Sequence, residues 1–287
     1  MSRNKDRLGM GDNTPEPSSP PVAAMDSNIF SFVAPTEFVK LPSEGKYYPT
    51  DHPLFDQTTI EIKQMTAKEE DILTSITLIE NGVALERLLE SVILNKSVDP
   101  KTLLVGDRNA IVIAARVSGY GNMYRTTITC PDCLTEQKYG FDLNNAKVTT
   151  TTDILNSLPD VITISDNGDY ALTLPKSNLV IEMSLLNGND EKSLTKKLVE
   201  GEKANGAQAL ITTQLVHMIK SVNGNNTKEA IEYVAQNLPS GDSAFLRKIY
   251  TKIVPNVELS LPFECKHCSH NEDMEVPLAA EFFWPDA

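Results

Sequence analysis

The only four cysteines in the chain fall as two C-x-x-C pairs, Cys130-Pro131-Asp132-Cys133 and Cys265-Lys266-His267-Cys268. A C-x-x-C turn aims two thiolates at one point, and two such turns complete the tetrahedron that zinc prefers. The pattern predicts a single structural Zn2+ site held by Cys130, Cys133, Cys265 and Cys268. Ordinary zinc ribbons separate their pairs by about 15–20 residues. Here the gap is far longer, so the fold itself must bring the pairs together, and the metal pins everything between them at its neck. Four thiolates close the coordination sphere and leave no place for water, which makes such a site structural and not catalytic. The competing readings are disulfides, acceptable only in an oxidising setting, and unrelated free thiols. His267 and His270 stand beside the second pair and are expected as neighbours that tune the site, with replacement of a cysteine the rarer case.

Bulk properties narrow the function class. The 287 residues carry 26 Lys+Arg against 39 Asp+Glu, a formal net charge of -13. That excess repels phosphate, so nucleic-acid binding and adhesion to an anionic membrane are disfavoured. No run of eighteen or more apolar residues exists to span a membrane, and the first residues lack the apolar core of a secretory leader. Four cysteines are too few for a disulfide scaffold, which points to a reducing compartment.

Residues 1–28 are rich in Pro, Gly and Ser, with hardly any large apolar side chain, and are expected to form a disordered tail. Order begins near Phe30, with extended pieces at Ser31–Val33 and Glu37–Val39. The turn-rich Leu41-Pro42-Ser43-Glu44-Gly45-Lys46-Tyr47-Tyr48-Pro49 follows, and its two tyrosines need a surface to lie on. Thr59–Lys63 alternates as a half-buried strand. Thr66-Ala67-Lys68-Glu69 is a capping box opening a helix that runs to Asn81-Gly82 with Ile72, Leu73, Ile76 and Ile79 on one face. A second helix carries Leu85, Leu88, Leu89, Val92 and Ile93. A third is expected to start on Asp107 as N-cap and stop at Gly119. The acids between Thr66 and Leu94 form a solvated outer face or, in the sharper reading, a dock for a basic partner.

Met123–Cys130 and Glu136–Phe141 are β-prone, which sets the first cysteine pair on a hairpin tip. Val161–Met183 is extended, with a strong turn at Asp166–Asp169. A second helical block covers about 190–253: a helix near Lys192–Gly201, one with Leu210, Ile211, Leu215, Met218 and Ile219 inward, one capped at Thr227, and one opened by Ser240-Gly241-Asp242. Val257–Leu261 and Asp273–Val276 set the second pair on a hairpin tip as well. Together these readings predict an α+β fold of two helical blocks joined by paired zinc-knuckle β-hairpins, divided as tail 1–28, first block with first knuckle 29–150, and strand pair, second block and second knuckle 151–287. No catalytic constellation emerges: G-x-S-x-G, H-E-x-x-H and the phosphate-binding G-x-x-x-x-G-K-[ST] are absent, and His52 and His217 sit in structural contexts. The chain is expected not to be an enzyme.

Several segments resemble one known family. They are Phe38–Pro49, Met65–Leu73, Leu104–Ala110, Arg116–Gly121, Thr129–Cys133 and the terminal Phe282-Phe283-Trp284-Pro285. Taken together these are similar to the baseplate hub proteins of T-even-type contractile-tail bacteriophages, with the likeness spread from about Phe38 to Phe141 and resuming near Ser240. The resemblance implies a non-enzymatic structural or assembly protein of the virion's tail baseplate, put together in the host cytoplasm. Its expected partners are other hub, spike and tail-tube or tape-measure proteins, reached through the helical surfaces and the Tyr47/Tyr48 and Phe282/Phe283/Trp284 aromatics. Two alternatives stand beside it: a soluble assembly chaperone missing from the finished virion, and a zinc-ribbon module binding nucleic acid or a transcription complex. The second needs a basic face near the cysteines, where Asp132, Glu136, Glu264, Glu272 and Asp273 outnumber Lys138 and Lys266.

Overall fold

A computed structural model describes residues 33–164, 169–205, 210–276 and 280–283, with backbone only at 198–205, 261, 280 and 281. The tail, Ser31-Phe32, the Asp166–Gly168 part of the predicted turn and Trp284 lie outside the described residues.

The segment 41–49, read as irregular, is the joint of the molecule. It follows β1 (Thr36–Lys40), which pairs antiparallel with β2 (Thr59–Lys63) in the register Phe38↔Glu61. Within it Ser43 donates its N–H and hydroxyl to Asp107 at 2.9 and 2.5 Å, and Tyr48 donates to the same carboxylate at 2.8 Å. Glu44 accepts from the Thr152 N–H and hydroxyl, while Tyr47 donates to Tyr170. Gly45 sits at φ 72°, and a Cβ there would lie 2.4 Å from Gln57 N, so only glycine fits this turn. The tyrosines are thus spent inside the protein, Tyr48 buried and Tyr47 half-buried, and do not face neighbouring proteins as expected.

The first helical block follows as α1 (Ala67–Thr74), α2 (Ile76–Glu80), α3 (Ala84–Val92) and α4 (Val105–Tyr120). The capping box at Thr66 forms, but the expected continuous helix breaks at Ser75 (φ -70°, ψ 106°). The Thr74 hydroxyl bonds back to Glu70 O at 2.9 Å, a local bond that competes with helix propagation. Leu73 is buried, while Ile76 is left exposed. The α3 stripe is as predicted, with Leu88, Leu89 and Val92 buried; each such side chain stabilises the fold by about 1.5–3 kcal/mol.

Asp107 is not an N-cap. The helix starts three residues earlier, with Leu104 at the N-cap position, and the Asp107 carboxylate is drawn sideways into the core by Ser43 and Tyr48. Gly119 does not stop it either: Gly121, at φ 80°, does.

Two cysteine hairpins, β3–β4 (Met123–Thr129, Glu136–Asp142) and β11–β12 (Ser260–Glu264, Asn271–Glu275), are separate two-stranded antiparallel sheets. The expected single strand from Val257 is split: β10 (Asn256–Glu258) pairs with β5 (Lys147–Thr149), and the chain changes partner around buried Leu259 before β11. Both hairpins pack into the core of the first block, together with Phe282 and Phe283. Those two phenylalanines are buried, so they too are core and not contact residues.

Between the hairpins lies a second core. It holds α5 (Thr151–Asn156), an antiparallel sheet in the order β6-β7-β8-β9 (Ile162–Ile164, Tyr170–Thr173, Val180–Met183, Ile219–Val222), α6 (Gly188–Asn205), α7 (Leu210–Met218), α8 (Lys228–Asn237) and α9 (Ser240–Ile253). Leu215 and Ile219 face inward as predicted, but Leu210 and Ile211 are exposed. Ile219 itself already belongs to β9 and not to the helix. Asp242, in the first turn of α9, accepts from the N–H groups of Lys176 and Ser177 at 3.0 and 2.8 Å and ties the helix to the β7–β8 turn. No helix among the described residues is long and apolar enough to cross a membrane.

Candidate metal centre

The two C-x-x-C turns are built alike. In the first, Cys130 N–H donates to Thr135 O at 3.0 Å, Leu134 N–H donates to Cys130 O at 3.0 Å, and Leu134 takes a left-handed φ of 57°. In the second, Cys265 N–H donates to His270 O at 2.8 Å, Ser269 N–H to Cys265 O at 3.0 Å, and Ser269 has φ 58°. A six-residue turn with its fifth residue left-handed therefore closes each hairpin and lifts both sulfurs off the same side of the tip. Neither fifth residue is glycine, so the left-handed position itself carries no mark in the sequence.

The hairpins meet through side chains. Tyr139 of β4 stacks edge-on against buried Phe263 of β11 at 5.1 Å and donates to Pro262 O at 3.2 Å. Buried Gln137 accepts the Lys266 N–H at 3.1 Å, so a residue of the first hairpin holds the backbone of the second turn.

All four predicted cysteines come together. Their sulfurs lie within 4.8 Å of one another, with Cys130 Sγ 3.7 Å from Cys268 Sγ and Cys133 Sγ 3.7 Å from Cys265 Sγ. These are not disulfides, whose sulfurs sit about 2.05 Å apart, and all four cysteines are free. Zinc–sulfur bonds of about 2.3 Å in a tetrahedron put the sulfurs about 3.8 Å apart, so the donor set fits that ion in kind, number and spacing. Cys130 and Cys265 are buried, Cys133 half-buried and Cys268 exposed. His267 is exposed and His270 lies 3.3 Å from the Glu272 carboxylate, and neither belongs to the sulfur cluster.

Electrostatics points the same way. The Thr135 hydroxyl and backbone beside Cys133 push its thiol down to about 6, and backbone N–H groups of Cys268 and His267 lower Cys265. Cys268 is driven up to about 12: the His270 backbone favours its thiolate, but partial desolvation of the sulfur by the cluster and the three neighbouring sulfurs outweigh that. Four thiolates this close repel one another, and a divalent cation is what lets all of them ionise together.

The segments that carried the family resemblance also meet in space, Phe38–Pro49 against Leu104–Ala110 through Ser43, Tyr48 and Asp107. The family model described as T4 bacteriophage base plate protein matches residues 34–284. The chain belongs to that family. No curated protein and no solved structure matches it. As a T4-type base plate protein it has a structural or assembly role in the phage baseplate, at the virion tail, among other baseplate or tail proteins. The buried Asp107–Ser43–Tyr48 network of this base plate protein was missed from sequence, where Asp107 stands beside Arg108 and Asn109 and nothing local marks it as buried.

Proposed function

We propose that this protein is a non-enzymatic component of the baseplate hub, either a resident subunit or a hub assembly factor, whose two cysteine hairpins are clamped by one structural zinc ion. The observation that carries the reading is the convergence of the two turns, with sulfurs 138 positions apart at 3.7 Å. Bound zinc supplies charge neutralisation and four strong bonds at the neck of the inserted block; Gln137 and the Tyr139–Phe263 contact orient the two tips toward each other. Its partners on this reading are hub, spike and tail-tube or tape-measure proteins, met during assembly in the host cytoplasm.

Two measurements test it. Metal analysis of protein purified under reducing conditions should find one equivalent of zinc per chain, and less than half an equivalent contradicts the metal reading. Quantitative mass spectrometry of purified tails should find the chain in the baseplate if it is a subunit. Its absence from tails, with hub assembly failing when its gene is deleted, assigns the assembly-factor role. Intact hubs without it contradict both.

A further inference from the structure

The four sulfurs are not equivalent. Cys268 is exposed and Cys133 half-buried, while Cys130 and Cys265 are buried. Each of the two 3.7 Å contacts joins an accessible sulfur to a buried one, and each crosses from one hairpin to the other: Cys268 to Cys130, and Cys133 to Cys265. A sulfur that an oxidant can reach therefore stands against one that it cannot, as an attacked thiol and its resolving partner do. The sulfurs need to close by only about 1.7 Å to reach the disulfide distance of about 2.05 Å. The hairpins themselves fix the approach, through Gln137 on the Lys266 N–H and through Tyr139 against Phe263 and Pro262.

We propose that the cluster is a two-state clasp, in which a peroxide replaces the metal by two disulfides, Cys130–Cys268 and Cys133–Cys265, both crossing between the hairpins. The accessible Cys268 thiolate attacks hydrogen peroxide; the O–O bond breaks, the sulfur becomes a sulfenic acid and hydroxide leaves. The Cys130 thiolate then attacks that sulfur, the S–S bond forms and a second hydroxide leaves. Each disulfide thus takes two electrons from two thiolates and turns one peroxide and two protons into two waters. Cys133 and Cys265 repeat the sequence with a second peroxide. Sulfurs joined in a disulfide are no longer thiolate ligands, so the metal is released.

Because both bonds tie β3–β4 to β11–β12, the neck of the inserted block stays closed in either state. Disulfides inside each C-x-x-C turn would instead part the hairpins. Such a clasp suits a virion protein, whose surroundings are oxidising once the particle has left the cell. The exchange of metal for disulfides rests on the zinc reading, whereas the pairing of the sulfurs rests on their positions alone.

The test takes full-length protein purified under reducing conditions, counts its zinc, and adds hydrogen peroxide in steps to two equivalents per chain. The expected result is loss of all four free thiols, release of the zinc to a metal indicator, and recovery of thiols and zinc binding with dithiothreitol. Cleavage after Lys and before Asp puts each cysteine in its own peptide, since Lys266 separates Cys265 from Cys268 and Asp132 separates Cys130 from Cys133. Mass spectrometry without reduction should find Cys130 linked to Cys268 and Cys133 to Cys265. The oxidised chain should also unfold at least about 5 °C above the reduced, zinc-stripped chain. Links within each C-x-x-C, any other pairing, links between chains, sulfonic acids in place of disulfides, or thiols that survive the peroxide overturn the proposal. So does an oxidised chain no more stable than the stripped one. Absence of zinc from the starting protein overturns the exchange together with the metal reading, while cross-hairpin links in that protein uphold the pairing.

Discussion

Arg116 Nε donates to the carbonyl of Phe282 at 3.0 Å, joining residues 166 positions apart. The guanidinium is fully buried, and its remaining groups reach Gly121 O at 2.8 Å and Met123 O at 3.4 Å. The rings of Tyr120 and Phe282 lie 5.3 and 5.9 Å from its centre, so carbonyl dipoles and π faces replace its water. One cation thereby ends α4, starts β3 and holds the last described turn of the chain in the core.

Removing that cation leaves the buried Phe282 carbonyl short of a donor, at a cost of about 1–3 kcal/mol, while the carbonyls of exposed Gly121 and Met123 can turn to water. Arg116→Met is expected to lower stability by about 1–3 kcal/mol in urea unfolding, and Arg116→Lys, which keeps a donor, by less. A loss below about 1 kcal/mol for Arg116→Met would show that the guanidinium does not clamp the terminus.

Two glycines of α4 should behave differently although both are helical. A Cβ on Gly106 would lie 2.0 Å from the Pro255 carbonyl oxygen, a backbone atom held by the β10–β5 pairing. On Gly119 it would meet only the flexible Met65 Cε, at 2.4 Å. Gly106→Ala is therefore expected to destabilise by about 1–3 kcal/mol, as overpacking does. Gly119→Ala should be within about 1 kcal/mol of neutral, since the methionine can turn away and alanine favours the helix. Equal effects in thermal unfolding would mean the α4–β10 approach is looser than it is here.

What the sequence shows and hides follows from where each signal is stored. The convergence of the four cysteines was readable because a C-x-x-C pair is a local pattern and the chain holds two of them. The strand Thr59–Lys63 and the α3 stripe were readable because their periodicity reports burial directly. Asp107 was misplaced as a helix cap because a local rule applies to any Asp near a helix start, whereas its partners lie 59 and 64 positions away. Tyr47, Tyr48, Phe282 and Phe283 were assigned to outside partners for the same reason: aromatic residues beside prolines look solvent-facing until the distant Asp107, Tyr170 and Arg116 are seen to receive them.

The cysteine turns predict a local response to metal loss. Cys265→Ser should cut zinc content well below one equivalent, because serine is a poor fourth ligand for this ion. Hydrogen exchange should then rise in β3–β4 and β11–β12, while α7 and β9 of the second core keep their protection. Acid should act like the mutation, since the ligands must be deprotonated to bind, with zinc release followed by a metal indicator as pH falls. Uniform loss of protection across both cores would show instead that the site holds the whole fold and not the neck alone.

Two buried carboxylates should move stability in opposite directions with pH. Glu69 accepts from Lys63 at 2.7 Å, Ser91 at 2.5 Å, and the Thr66 N–H and hydroxyl at 2.8 and 2.7 Å. Burial alone would raise it, but these bonds prevail and hold it down at about 2 from its ordinary 4.5. A depressed carboxylate contributes stability above its unfolded value and loses it as pH falls through the folded one, on the order of 3 kcal/mol here. Asp107 is the reverse: burial raises it from its ordinary 3.8 more than the bonds from Ser43 and Tyr48 lower it. Its contribution is full below 3.8 and is lost as pH rises through its raised folded value. Glu69→Gln should therefore destabilise most near neutrality and progressively less between pH 4.5 and about 2, while Asp107→Asn should be better tolerated at neutral pH than in acid. Urea unfolding of both variants from about pH 2 to neutrality reads the two slopes, and parallel slopes would mean that bonding at Glu69 or burial at Asp107 does not set the charge as described.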